Sequence, residues 1–263
     1  IIWFVDPGGN PDGRLSGLFD YANITGSWLA LVWPFSLTFL IQSPNSFRNR
    51  LVSLFFTIGV AIALFLTDSR NAWLGMVIAT PLALGPSNWI WLFPCLIIIA
   101  SLITIAAFPL VPIQWQSFVR SFIPESLWGR LNDMQYMEGR PLEATRLSQW
   151  KEAINLSFDR PWLGYGAAAF SVLYPLRQGL WHGHAHNLPL ELTVAHGLPV
   201  AVFVVGVVLA LLIKSFKTCL YFQSGTNRTL NDKNSFDRAW WTATFVLVAL
   251  HGADMPLFDS RLN

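Results

Sequence analysis

The sequence predicts an all-α protein with several transmembrane helices, and three observations carry this prediction. Of its 263 residues, 53% are hydrophobic and only 12% are charged, whereas a soluble domain carries about 25% charged residues. The mean hydropathy is +0.45. From Asn71 through Val119 no residue is charged, as in consecutive apolar spans. This composition excludes a disordered chain, and a net charge of +2 from scattered basic residues indicates no nucleic-acid partner.

Six apolar runs predict six transmembrane helices. A helix needs about 20 mostly apolar residues to cross roughly 30 Å of hydrocarbon. Because the third and sixth runs are short, we expect them to tilt little or to extend into polar flanks. The predicted spans cover residues 26–42, 51–66, 72–84, 89–110, 188–213 and 239–253.

These spans predict how the remaining chain is organised within one domain. Because the chain begins with Ile1 and ends in polar sequence, we expect it to be a fragment of a longer protein. The predicted parts are an extracytoplasmic segment at 1–25, transmembrane helices 1–4 within 26–110, an extracytoplasmic loop with amphipathic helices at 111–187, transmembrane helices 5–6 within 188–254 with a cytoplasmic loop at 214–238, and a truncated extracytoplasmic end at 255–263.

Basic residues in the short loops predict which side of the membrane each loop faces. Arg48 and Arg50 lie between the first two spans, and Lys214 and Lys217 begin the loop before the sixth. Short cytoplasmic loops carry an excess of Lys and Arg. We therefore expect the turn around Arg70, the large loop and both chain ends to lie outside.

Arg70 follows the second span, and Asp68 precedes it by two residues. One interpretation is an interfacial arginine, neutralised by Asp68, that reaches the lipid headgroups. The other is a fixed guanidinium that binds a phosphate or diphosphate through two N–H groups. These residues alone leave both interpretations open.

The large loop contains a predicted amphipathic helix followed by a turn. Spacing over 143–157 is helical, with Arg146 one turn before the central tryptophan. We expect this helix to lie on the membrane or over a cavity. In the turn that follows, Gly164 and Gly166 allow a close backbone approach. The alternative is a packed outer lid with surface arginines. The apolar stripe of the helix consists of Leu147, Trp150 and Ile154.

A further helix is predicted to begin near Asn187. This residue is a favourable N-cap, and Pro189 is tolerated in the first turn. Gly197, the last residue of the predicted face, would let a neighbouring helix or a ligand approach that face closely. The residues predicted to share this face are His186, Leu190, Thr193 and Gly197.

His182, His184 and His186 precede this helix and leave two interpretations open. Three histidines in five residues suggest a metal site. However, His184 and His186 would point to opposite sides of an extended chain, and no cysteine or paired carboxylate completes a ligand set. The second interpretation is a single imidazole that serves as a general base at the outer edge of the membrane.

Several of these patterns resemble the O-antigen ligase family. Each pattern is short, but their order, spacing and predicted outward placement agree, and together they extend from Gly13 to Asp254. The patterns that carry the resemblance are His186-Asn187-x-x-Leu190-x6-Gly197, Arg146-x3-Trp150, Pro161-x-Leu163-Gly164-x-Gly166 with Phe170, Ser69-Arg70, and the segment from Gly13 to Ile24.

The resemblance implies an all-helical membrane glycosyltransferase with about twice as many spans as are seen here. Members of this superfamily transfer glycans from polyprenyl-diphosphate carriers to lipid A-core, to a growing polymer or to protein, at the outer face of the bacterial inner membrane. The implied partners are a lipid-linked glycan donor, a glycan or lipid acceptor, and membrane lipids. The implied reaction is inverting and uses neither a metal nor another cofactor.

The resemblance also implies roles for individual residues. His186 matches the position of the base that acts on the acceptor hydroxyl, and Arg70 and Arg146 match positions that bind the diphosphate. Asp254 either orients a neighbouring side chain or caps the end of the sixth span. The residues expected to support the site are Asn187, Gly197, Trp150, Gly164, Gly166, His184 and Asp254.

A second resemblance leaves an alternative function open. The His-Ala-His-Asn sequence ending at Asn187 and the segment from Asp254 to Asn263 resemble proteins labelled inorganic-carbon transporters. This implies a bicarbonate transporter or a transport accessory protein, with the cationic site holding the anion. Against it, the predicted spans contain no charged residue at the midplane of the membrane and show no obvious pair of broken helices. A purely structural membrane subunit is a third alternative.

Overall fold

The computed structural model describes residues 13–19, 21–42, 46–125, 128–129, 142–220 and 228–255. Regular secondary structure in these ranges is helical, so the all-α prediction is confirmed. Predictions for residues 1–12 and 256–263, and for parts of the two long loops, lie outside the described residues. The α-helices are α1 (Ala22–Gln42), α2 (Phe47–Leu66), α3 (Arg70–Leu84), α4 (Trp89–Ala107), α5 (Ile113–Arg120), α6 (Arg146–Asp159), α7 (Ala169–Gln178), α8 (Leu188–His196), α9 (Leu198–Leu220) and α10 (Arg228–Leu250).

Helix α1 forms the centre of a bundle and contacts α2, α3 and α10. The contact faces carry many small side chains, which let helices approach closely in apolar surroundings. A Cβ atom placed on Gly26 would lie 2.7 Å from the Cβ of Ala72, and one on Gly75 would lie 3.2 Å from the Cβ of Ala30. Larger residues would therefore force α1 and α3 apart. The buried core consists of Ala30, Val60, Leu64, Ala72, Ala79, Val246 and Leu250.

Four helical segments are long and apolar enough to cross a membrane, which shows a multi-pass membrane protein. Helix α3, at the third predicted span, has only 15 residues and is about 22 Å long. Helix α10 has 23 residues, but its first half is polar. Among the described residues, four of the six predicted spans thus meet the requirement for length and composition. The four segments are Ala22–Gln42, Phe47–Leu66, Pro86–Ala107 and Leu198–Cys219.

The fifth predicted span is not a single helix. We predicted a continuous span over 188–213, but Gly197 separates α8 from α9. Its φ angle is 84°, a left-handed value at which glycine commonly ends a helix. The prediction of continuity is therefore wrong, and the apolar span begins at Leu198.

Helices α6, α7 and α8 pack around a separate apolar core. Helix α6 begins at Arg146, three residues later than predicted. Its predicted apolar stripe is not the packed face, because Leu147 and Ile154 are 74% and 43% exposed while Ala153 and Leu156 are fully buried. The smaller face packs against α8, and Leu147 and Ile154 remain exposed.

Segments that are distant in sequence meet at one end of the bundle, which we call the loop end. It contains the residues before α1, the α2–α3 turn, the start of α8 and the end of α10. The side chain of Asn71 donates a hydrogen bond to the Leu250 carbonyl at 3.3 Å. The backbone N–H of Leu188 donates to the His251 carbonyl at 2.8 Å. These bonds fix the start of α3 and the start of α8 against the end of α10.

Candidate functional site

Asp254 lies where the chain turns after α10, and its carboxylate contacts side chains from two other parts of the sequence. Oδ1 lies 2.9 Å from Nδ1 of His186, and Oδ2 accepts a 3.0 Å hydrogen bond from a terminal nitrogen of Arg146. Oδ1 also accepts a hydrogen bond from the backbone N–H of Met255. Only 6% of the Asp254 side chain is exposed. The carboxylate therefore depends on these partners rather than on water.

These contacts keep Asp254 ionised. Burial by itself raises the pKa of a carboxyl group. The hydrogen bond from His186 and the positive charge of Arg146 outweigh burial, so the pKa of Asp254 lies below its usual range. Because a carboxylate only accepts hydrogen bonds, Nδ1 of His186 carries the hydrogen, and Nε2 of the neutral ring is left as an acceptor. The site thus presents an imidazole with a defined tautomer.

His186 lies in the loop before α8 and not on the helix. Its φ angle is 50°, a left-handed value that is uncommon outside glycine. Asn187 caps α8 as predicted, since its Oδ1 accepts from the N–H of Leu190 and its Nδ2 donates to the Gly252 carbonyl. The prediction that His186 shares a helical face with Leu190, Thr193 and Gly197 is wrong, because the cap turns the chain before the helix starts at Leu188 and Gly197 lies beyond the end of α8.

His184 is a direct neighbour of His186. Nδ1 of His184 accepts a hydrogen bond of 3.2 Å from the His186 backbone N–H. The ring centroids are 4.3 Å apart with an angle of 76° between the planes. The two rings are therefore packed edge to face and do not converge on a common point. In the described part of the chain, no group of three His, Cys, Asp or Glu side chains is placed to hold a metal ion.

Three of the predicted glycines bring the turn after α6 against the end of α8. A Cβ atom on Gly164 (φ 65°) would lie 2.6 Å from the Ala195 carbonyl oxygen, and one on Gly197 (φ 84°) would lie 2.4 Å from the Trp162 carbonyl oxygen. Gly166 donates its N–H to the Ala195 carbonyl at 2.9 Å. The close backbone approach that the sequence predicted is present, and it holds the helix whose start positions His186.

Arg70 and Trp150 occupy different parts of the site region. Arg70 is the first residue of α3 and is exposed. Because Asn71 is bonded to the last residue of α10, Arg70 lies at the loop end. Trp150 lies one turn after Arg146 on α6, and its indole nitrogen is buried without a hydrogen-bond partner among the described residues.

Sequence reasoning gave no role to Arg14 and Tyr21, which the fold places near the site. Nε of Arg14 donates to the Thr67 carbonyl at 2.9 Å, and its guanidinium also binds Asn23. Burial and the negative charge of Asp254 raise the pKa of Tyr21, against smaller opposing effects that include the charges of the two nearby arginines. The sequence could have indicated their importance, since both residues lie in the segment from Gly13 to Ile24 that resembles a family motif.

The helices that can cross a membrane define a multi-pass membrane protein. At the loop end, an arginine, a carboxylate and an imidazole form a hydrogen-bonded polar site. A family model described as O-antigen ligase matches residues 55–205. The match covers more than half of the chain, which therefore belongs to the O-antigen ligase family. This is a family of membrane glycan transferases of the ligase and polymerase type, which act on a lipid-linked glycan and an acceptor. Searches of curated proteins and of solved structures find no match.

The matched region contains Arg70, Arg146 and His186, whereas Asp254 and the segment around Arg14 lie outside it. Hydrogen bonds and electrostatic interactions join the two sets of residues. The polar site is therefore larger than the region that the family match defines.

Proposed function

We propose that this protein transfers an oligo- or polysaccharide from a polyprenyl-diphosphate carrier to an acceptor hydroxyl, at the outer face of the inner membrane. The observation that carries the proposal is the hydrogen-bonded series His186–Asp254–Arg146. It combines an oriented base with a guanidinium in one site at the end of a membrane bundle. In a glycan transfer that releases a diphosphate, the base can take the proton of the acceptor and the guanidinium can stabilise the leaving group.

His186 serves as the general base. As the acceptor oxygen bonds to the anomeric carbon, its proton moves to Nε2 of His186, because Nδ1 is engaged with Asp254. The bond between the anomeric carbon and the diphosphate oxygen breaks, and its electron pair leaves with the diphosphate. Direct displacement inverts the configuration at that carbon. Asp254 fixes the ring orientation and stabilises the imidazolium that forms, as a carboxylate behind a catalytic histidine does elsewhere.

The arginines stabilise the leaving diphosphate. Arg146 has one hydrogen bond to Asp254, and its guanidinium offers five N–H donors in all. Its side chain is 37% exposed, so the remaining donors are accessible to a bound diphosphate. Arg70, exposed at the start of α3 at the same end of the bundle, supplies the second positive charge. Fixed guanidinium groups can stabilise developing phosphate charge without a metal ion.

The supporting residues maintain this geometry. Asn187 joins the start of α8 to the turn before Asp254. Gly164, Gly166 and Gly197 let the turn after α6 hold the other end of α8. His184 packs edge to face against the His186 ring, and Trp150 lies one turn after Arg146 on α6.

The proposal is tested with a His186→Ala variant of the whole protein in reconstituted membranes that contain a polyprenyl-diphosphate-linked oligosaccharide and an acceptor glycan. His196→Ala is the matched control, because His196 is exposed at the other end of α8. We expect the first variant to lose transfer and the control to retain it. Full transfer by His186→Ala would overturn the proposal. Uptake of labelled bicarbonate into proteoliposomes, without any glycan transfer, would support the transporter alternative instead.

A further inference from the structure

Glu191, in the first turn of α8, directs its side chain back towards the loop that carries His186. Its Oε2 accepts a 3.0 Å hydrogen bond from the backbone N–H of Ala185. Ala185 is fully buried, so this N–H has no access to water. The carboxyl group thus satisfies a buried donor that belongs to the residue immediately before His186.

The backbone at His186 needs such support, because its φ angle of 50° is unfavourable for a residue with a side chain. The Ala185 N–H donates a hydrogen bond to Glu191, and the His186 N–H donates one to His184. The next residue, Asn187, accepts a hydrogen bond from Leu190 as the cap of α8. Three consecutive residues are therefore each held by a hydrogen bond. Glu191 is the only one of these three partners that can carry a negative charge.

The titratable and charged groups around His186 come from four parts of the chain. Asp254 approaches from the end of α10, with Arg146 of α6 behind it, and His184 lies in the same loop. Glu191 approaches from α8. Burial raises the pKa of Glu191, while the Ala185 N–H and the charge of His186 act in the opposite direction. The Glu191 carboxylate and the His186 imidazolium therefore attract each other.

We propose that Glu191 is a positioning residue for the transfer reaction: it fixes the left-handed turn at His186 and stabilises the imidazolium formed when His186 takes the acceptor's proton. This inference rests on the proposed function of His186. It gives His186 two carboxylates with different roles. Asp254 selects the tautomer through Nδ1, and Glu191 holds the loop and contributes charge without contacting that nitrogen.

Two substitutions separate the two parts of this role. Glu191→Gln keeps an oxygen that accepts from Ala185 but removes the charge, and Glu191→Leu removes both. Glu152→Gln is the matched control, since Glu152 is a buried carboxylate that is paired with Arg177 and Gln178 instead. The measurement is the pH dependence of kcat and of the donor KM for glycan transfer, with the whole protein in lipid nanodiscs.

For Glu191→Gln we expect kcat to fall about tenfold and the acidic limb of the pH profile to move to lower pH, as expected when one neighbouring negative charge is lost. The donor KM should be unchanged, because the arginines are intact. Glu191→Leu should lose more kcat than Glu191→Gln, and Glu152→Gln should match the wild type in both the profile and kcat.

The inference is overturned if Glu191→Gln has the wild-type kcat and pH profile, or if Glu152→Gln shifts the profile equally. If Glu191→Leu does not fold, the isosteric glutamine variant decides the outcome. The two proposals fail separately. Full activity of His186→Ala rejects the proposed function, whereas an inactive His186→Ala combined with wild-type behaviour of Glu191→Gln rejects only the role of Glu191.

Discussion

One carboxylate, that of Asp254, bonds His186 through Oδ1 at 2.9 Å and Arg146 through Oδ2 at 3.0 Å. These partners lie 68 and 108 residues away in sequence. Asp254 therefore couples the orientation of the proposed base to that of the proposed diphosphate ligand. A change at Asp254 should affect both the chemical step and the binding of the donor.

Replacing Asp254 by Asn should lower kcat by on the order of 10²-fold or more, because general base catalysis contributes at least that much. An amide can donate as well as accept, so the His186 ring is no longer held with its hydrogen on Nδ1. The donor KM should rise as well, since Arg146 loses its partner. Steady-state transfer kinetics in nanodiscs measure both constants. Asp159→Asn is the control, because Asp159 pairs with Arg177; an equal loss there would contradict the assigned role.

Much of the site could be predicted from sequence where the determinants are local. The N-cap at Asn187 follows from residue type and spacing, and hydropathy located the apolar spans. The contacts of Asp254 could not be predicted, because the turn after α10 brings it to His186 only in the folded bundle. Helical periodicity located α6 but gave the wrong packed face, because periodicity does not indicate which neighbour the helix meets. The close approach of the Trp162 carbonyl to Gly197 is a tertiary contact, which spacing along the chain does not reveal.

The glycines around α8 should differ in their tolerance of alanine in a defined order. Gly197→Ala and Gly164→Ala combine a positive φ angle with a Cβ atom within 2.6 Å of backbone, so each should destabilise the protein by about 1–3 kcal/mol. Gly166→Ala has a positive φ angle but open space around the Cβ position, and should have a smaller effect. The thermal midpoint in detergent measures this order.

The control for that series is Gly206→Ala in α9, where a Cβ atom meets nothing within 4 Å and φ is not positive. This change should be neutral or slightly stabilising, since alanine favours the helix by up to about 1 kcal/mol. If Gly197→Ala melts at the same temperature as Gly206→Ala, the proposed clamp between the turn and α8 is not formed.

Stability should depend on pH through Asp254. Its pKa is lower in the folded protein than its ordinary value, so its ionisation stabilises the fold above about pH 4. This stabilisation is lost as pH falls through the lower folded value. The thermal midpoint of the wild type should therefore exceed that of Asp254→Asn at pH 6, and the difference should shrink below about pH 4. A constant difference across this range would contradict the ion pair with Arg146 and the bond to His186.

The two arginines should differ when each is replaced by alanine, although both are proposed to bind the diphosphate. Either change should raise the donor KM by about tenfold or more, since hydrogen bonds to a charged group contribute about 1.5–3 kcal/mol. Arg146→Ala should also lower the thermal midpoint, because it leaves the buried Asp254 carboxylate without its guanidinium partner. Arg70→Ala should leave the midpoint unchanged, because Arg70 is exposed.

The control is Arg48→Ala, which changes an exposed residue at the start of α2 and should alter neither the donor KM nor the thermal midpoint. If Arg70→Ala leaves the donor KM at the wild-type value, the second diphosphate contact must come from another group at the loop end. Arg14, which donates hydrogen bonds to the Thr67 and Asp68 carbonyls in the α2–α3 turn, is then the candidate.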